Sequence, residues 1–290
     1  MGITRFSPGK VNFLLNILGR RPDGFHELET LMHPLAFGDT LHFEVADSGV
    51  GLTCNESALP VDDTNLVVRA AKAFFRAGMD GGVRIHLEKS VPLAAGLGGG
   101  SSNAANTLLA LNQLFNNPFG FEKLAAIAAD LGSDVPYFLQ SNPALSTGRG
   151  EIIQPLEPFA PLKNLVFLLV HPGFGVATSW AYQQLSQFPE IQRGQPGRAA
   201  RLAEDLRRRD ISEVAGEFYN ALETPVMSKY PILLMYQEFL RSEGACVSLM
   251  SGSGSTTFAI FRTWSEAARV QEMLLGRFGS GLWSKIVPIA

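Results

Sequence analysis

Cysteine is nearly missing from this chain: Cys54 and Cys246 are the only two. A single distant pair is no disulfide framework, and such scarcity fits a reducing compartment, so a cytoplasmic protein is expected. Long apolar runs are missing as well. The longest near the middle, residues 165–170, is far too short to cross a bilayer. The opening Met1-Gly2-Ile3-Thr4-Arg5-Phe6 has no apolar signal core, and Phe6 stands where a myristoylation signal needs Ser or Thr. Positive charge is not in excess either. A net charge of −3 gives no field that would gather nucleic acid or an anionic membrane. The basic cluster Arg207-Arg208-Arg209 ends a helical pattern, where cations suit the helix dipole. Finally, His26, His33, His42, His86 and His171 lack zinc-site spacing, and His26-Glu27-Leu28-Glu29-Thr30 breaks H-E-x-x-H at its last position.

What is present is a glycine-rich junction, Pro92-Leu93-Ala94-Ala95-Gly96-Leu97-Gly98-Gly99-Gly100-Ser101-Ser102. Upstream, Val83, Ile85 and Leu87 alternate with Arg84, His86 and Glu88, the period of a half-buried strand with His86 facing outward. Downstream, Ala104, Leu108, Leu111 and Phe115 follow helical spacing. Glycines at such a junction let backbone N–H groups approach a ligand, and the helix adds unpaired N–H groups and a positive dipole end. That is an anion cradle suited to a polyphosphate. No charged side chain occurs from Ser90 through Phe121, so no carboxylate competes for it. The loop is not a Walker loop, since Gly100-Ser101-Ser102 lacks the lysine. Nor does it fit G-x-G-x-x-G, because Ser101 fills the sixth position from Gly96.

The first half mixes strands (residues 4–6, 11–18, 40–45 and 83–89) with helices (66–77, 103–115 and 121–131). Prolines 143, 155, 158 and 161 loosen the pattern, so two domains are expected, 1–160 and 161–290. In the second, residues 165–170, 245–250 and 256–261 read as strands; 198–209, 211–222, 231–243 and 265–278 read as helices. The class is α+β, with few and antiparallel strands in the second domain.

Three further features could carry chemistry. Lys10, in Ser7-Pro8-Gly9-Lys10-Val11-Asn12, is either a solvated strand-edge lysine or a fixed cation for phosphoryl transfer. Asp134, in Ser133-Asp134-Val135-Pro136, either caps a short helix or accepts a hydroxyl proton. Ser251-Gly252-Ser253-Gly254-Ser255 is either an ordinary turn or a second loop closing on phosphates.

Taken in order, Pro8-Gly9-Lys10-Val11-Asn12, the run Pro92 to Ala105 and Ser251-Gly252-Ser253-Gly254 resemble the motifs of the GHMP small-molecule kinase superfamily. Arg21-Pro22-Asp23-Gly24-Phe25-His26, Thr64-Asn65-Leu66, Leu131-Gly132-Ser133-Asp134 and Gly148-Arg149-Gly150-Glu151 narrow the likeness to its branch acting on cytidine-diphosphate methylerythritol. The resemblance implies a ribosomal-protein-S5-like N-terminal domain and a ferredoxin-like C-terminal domain. It implies an ATP- and Mg2+-dependent kinase, monomeric or homodimeric, with a small-molecule substrate and no nucleic-acid or membrane partner. Lys10 and Asp134 would then be catalytic, and Asn65 together with Pro92 through Ser102 would hold ATP. Asn12, Phe25, His26 and Tyr182 would hold the acceptor, with Phe25 and Tyr182 sandwiching its base. The family usually carries tyrosine where this chain has Phe25; stacking survives that change and a hydroxyl hydrogen bond does not. Other GHMP kinases acting on homoserine, mevalonate or a sugar, and a non-catalytic nucleotide-binding regulator, are the alternative readings.

Overall fold

A computed structural model describes residues 2–289. The chain runs β1 (Gly2–Arg20), β2 (His26–Ala46), β3 (Gly49–Cys54), α1 (Leu66–Arg76), β4 (Gly82–Glu88), α2 (Gly99–Leu114), α3 (Phe121–Leu131), β5 (Ala144–Thr147), β6 (Ile152–Pro155) and β7 (Val166–His171). It continues through α4 (Thr178–Gln184), α5 (Arg198–Arg208), α6 (Ile211–Val214), β8 (Tyr219–Asn220), α7 (Glu223–Lys229), α8 (Ile232–Ser242), β9 (Val247–Met250), β10 (Thr257–Phe261), α9 (Trp264–Phe278) and β11 (Trp283–Pro288).

Two sheets organise these elements. The first follows the order β3-β4-β2-β1-β8, with the β5–β6 hairpin attached to β2; the second is the antiparallel β11-β7-β10-β9. Strand β1 is continuous where two segments were expected, because shifts of register at Pro8/Lys10, Asn12/Leu14 and Ile17/Gly19 break the side-chain alternation without ending the ladder. The alternation expected in β4 is present: Val83, Ile85 and Leu87 are buried while Arg84, His86 and Glu88 are exposed.

One core packs α1, α2 and α3 on the first sheet. A second lies between the sheets, where Val11, Phe13 and Leu31 meet Phe167, Leu169, Phe258 and Ile260. The other face of β7, through Val166, Leu168 and Val170, packs on residues of α8 and α9. A strand buried on both faces reads as a continuous apolar run, which is how residues 165–170 stood out.

Two expectations need correcting. Helix α2 begins at Gly99 rather than at Asn103, because the weak helix propensity of glycine hid its first turn. The helix expected over residues 211–222 does not form. Its apolar residues Ile211, Val214, Phe218 and Leu222 are all buried, but by a short helix, a 3-10 turn and then β8, which joins β1 in parallel at Leu14 and Leu15. The backbone groups around Tyr219 find partners on β1, and that tertiary pairing overrides the helical spacing.

Candidate active site

The glycine-rich loop is held by its carbonyls. Ala94 O accepts from Val176 N–H, Ala95 O from Thr256 N–H, Gly96 O from the Ser251 hydroxyl and Leu97 O from Lys10 N–H, all at 2.9–3.3 Å. With four successive acceptors used outward, the segment is fixed from β1 and from the second sheet together. Gly96 and Gly98 have φ of +76° and +70°. At Gly96 a Cβ would stand 2.1 Å from Ser251 O, and at Gly98 2.8 Å from the Phe138 ring, so both positions require glycine. Gly99, Gly100 and Ser101 then open α2, and their N–H groups have no intrahelical acceptor. The loop and this first turn line a cavity of about 590 Å³.

Lys10 emerges from the β1 bulge almost fully buried, at 3% exposure, which removes the solvated reading. Its Nζ donates to Asn12 Oδ1 at 2.6 Å and stands 3.6 Å from Asp134 Oδ2. Asn12 is oriented in turn by donating to Thr30 Oγ1 at 2.9 Å. Desolvation pushes the Lys10 ammonium below its ordinary pKa, and the Asp134 carboxylate opposes that shift. The Ser251–Ser255 turn comes to the same point. A Cβ on Gly252 would lie 3.3 Å from Lys10 Nζ and 3.1 Å from Gly96 O. Asn220 holds this turn, donating from Nδ2 to Met250 O at 2.7 Å and to Gly252 O at 2.8 Å.

Asp134 follows α3. The short helical turn after it, Pro136–Leu139, is flanked by Val135 and has no side-chain cap, so the capping reading fails. Its carboxylate is instead 44% exposed, paired with Lys10, and lines both the first cavity and a second of about 640 Å³.

The second cavity gathers Phe25, His26 and Tyr182. The turn joining β1 to β2 is shaped by Asp23, whose Oδ1 accepts from Phe25 N–H, and by Arg21 paired with Asp23 and Glu27. This leaves the Phe25 ring half exposed. The rings in contact are His26 and Tyr182, with centroids 5.4 Å apart; Phe25 lies instead under the Arg149 guanidinium at 4.8 Å. A base sandwiched by Phe25 and Tyr182 requires the two rings to stand apart across the cavity, and both line it. Burial lowers the His26 pKa and raises that of the Tyr182 hydroxyl. Asn65 lines the first cavity, but its amide caps α1: Oδ1 accepts from Val67 N–H and Nδ2 donates to Pro60 O.

Sequence reading missed a polar network under the cradle. Asp39, fully buried, pairs with Lys89 and accepts from Ser90 N–H at 2.8 Å, Val91 N–H at 2.9 Å and Asn103 Nδ2 at 3.0 Å. Asn103 also donates to Ser7 Oγ, which donates to Ser102 Oγ at 2.7 Å. The partners lie 50 or more residues apart in sequence, so no local spacing betrays them. The available signal was Asp39 itself, the one carboxylate on β2 between Glu29 and Glu44.

Two family models match the chain: the GHMP kinases N terminal domain over residues 65–142 and GHMP kinases C terminal over residues 192–281. A 4-diphosphocytidyl-2-C-methyl-D-erythritol kinase of Synechococcus sp. (strain JA-3-3Ab) is 38% identical, covering 95% of this chain and 90% of that protein. Among solved structures, a 4-(cytidine 5'-diphospho)-2C-methyl-D-erythritol kinase is 35% identical with a TM-score of 0.79, covering 99% of each chain. A homoserine kinase from Cytophaga hutchinsonii aligns with a TM-score of 0.76 at 22% identity, covering 98% of this chain and 93% of that one, which shows a shared fold.

Proposed function

This chain belongs to the 4-diphosphocytidyl-2-C-methyl-D-erythritol kinases of the GHMP kinase family, and from that membership we propose how its residues divide the reaction. The enzyme transfers the γ-phosphoryl group of ATP to the 2-hydroxyl of the cytidine-diphosphate methylerythritol, a step of non-mevalonate isoprenoid synthesis. Its compartment is the cytoplasm, a reading supported by the two free cysteines and by the lack, among the described residues, of any helix able to cross a membrane.

ATP fits the first cavity. The residues 92–102 present first-turn N–H groups to its phosphates, and the required glycines leave space for close approach. Asp134 takes the proton of the 2-hydroxyl as the oxygen attacks the γ-phosphorus, and the bond to the β-bridging oxygen breaks to release ADP. Lys10, already desolvated and fixed by Asn12, faces the charge on the transferring group; a preorganised cation there needs no rearrangement in the transition state. The base occupies the second cavity between Phe25, His26 and Tyr182. Among the described residues no group of three or more His, Cys, Asp or Glu could hold a metal. Magnesium brought in with the nucleotide would supply positive charge that offsets that of the phosphates during transfer.

The single observation that carries this reading is Asp134, paired with a buried lysine at the wall common to both cavities. Incubation with ATP, magnesium and the cytidine-diphosphate substrate, followed by phosphorus NMR, is expected to show ADP and a new monophosphate ester on the tertiary carbon. Turnover of homoserine, mevalonate or a sugar, with none of this substrate, would overturn the acceptor assignment and keep the kinase.

A further inference from the structure

The wall shared by the two cavities is made by Leu28, Asp134, Arg149, Thr178 and Tyr182. Only Arg149 among these is a cation. The other basic residues of the first cavity are already engaged, Lys10 with Asn12 and Asp134 and Lys89 with Asp39. Arg20 lines only the second cavity.

Arg149 is held from both ends. Its turn joins β5 to β6, with Gly148 and Gly150 at φ of +72° and +112°. Gly148 O accepts from Leu28 N–H, and Glu151 accepts from Arg149 N–H at 2.6 Å. The guanidinium lies over Phe25, and Nε stands 3.5 Å from Glu151 Oε1. The two terminal nitrogens donate to no group among the described residues. Backbone and ring plane are thus fixed while the outer edge of the fork stays free.

We propose that Arg149 binds the diphosphate of the acceptor substrate, a specificity role that rests on the acceptor reading above. A base in the second cavity and a reacting hydroxyl beside Asp134 must be joined across their common wall, and the link between them is a diphosphate. That link carries negative charge past the Asp134 carboxylate, so an unpaired passage would be repulsive. A planar fork meets two phosphate oxygens together, which a point-charge lysine does not do as well. The guanidinium also covers Phe25, so one side chain joins the base pocket to the transfer centre.

The test is calorimetric binding of cytidine and of CDP to the whole protein, with the ATP site filled by a non-hydrolysable analogue. The native protein is expected to bind CDP about tenfold or more tightly than cytidine, the yield of one charge-assisted contact. In Arg149→Gln that ratio falls to about twofold or less, CDP losing more affinity than cytidine, and Arg149→Lys lies between the two. In turnover assays the Arg149→Gln KM for the acceptor rises more than its kcat falls. A CDP-to-cytidine ratio unchanged in Arg149→Gln would overturn the proposal. So would a loss confined to the ATP analogue, which would give the guanidinium to the γ-phosphate instead. If the native protein bound neither cytidine nor CDP, the acceptor reading would fall and this assignment with it.

Discussion

Two lysine–aspartate pairs border the same cavity, and they are built for opposite purposes. Asp39 and Lys89 are both buried, and the carboxylate is filled by two backbone N–H groups and Asn103 besides its lysine. Lys10 and Asp134 stand 3.6 Å apart; the lysine is buried, but the carboxylate is 44% exposed and accepts no hydrogen bond among the described residues. A carboxylate whose lone pairs are all taken fixes structure. One left open beside a desolvated cation can take a proton. The difference lies in the neighbours, since the residue types are the same.

Breaking the filled pair should give the largest energetic effect. Asp39→Ala leaves Lys89 and several donors unpaired in the interior, and a loss of about 3–5 kcal/mol is expected in urea unfolding. Lys10→Met tests the open pair from its cationic side. It should lower kcat by about 10²–10³-fold, the scale of a lost transition-state donor, while leaving the melting temperature close to that of the native protein.

A third ionisable group sharpens the contrast because it has no charged partner among the described residues. His33 is buried between the sheets, stacked 5.0 Å from Phe13, with Nδ1 2.8 Å from Pro34 O. Desolvation lowers its pKa to about 4, and the bond to Pro34 opposes that only in part. The unfolded chain therefore binds a proton that the native protein refuses, so this contribution to stability is present above about pH 6.5 and is lost as pH falls toward 4. The loss amounts to about 3 kcal/mol over that interval, at 1.36 kcal/mol per unit. Unfolding free energies measured from pH 7 to pH 4 should fall more steeply in the native protein than in His33→Phe.

Much of this was legible from sequence where the signal is local. The alternation of β4 and the continuous apolar run of β7 report burial directly, because each side chain's fate is set by its own strand. The cradle was legible because Gly96 and Gly98 meet steric demands that only glycine satisfies. Residues 211–222 misled because helical spacing of apolar residues states only that they are buried. The edge of β1 decides how. The Asp39 network and the role of Asn220 were illegible for a related reason: each joins segments far apart in the chain. The second cavity was half legible. Phe25, His26 and Tyr182 do line it together, but the Arg149 guanidinium over Phe25 comes from the β5–β6 turn, far away in the chain.

The most direct test compares Asp134→Asn with Asp39→Asn, measuring ADP release and thermal unfolding on both. If Asp134 is the open base, its variant loses about 10²–10⁴-fold in kcat with little change in melting temperature, whereas Asp39→Asn melts lower. Turnover that survives Asp134→Asn at the native rate would contradict the account, whatever the melting curves show.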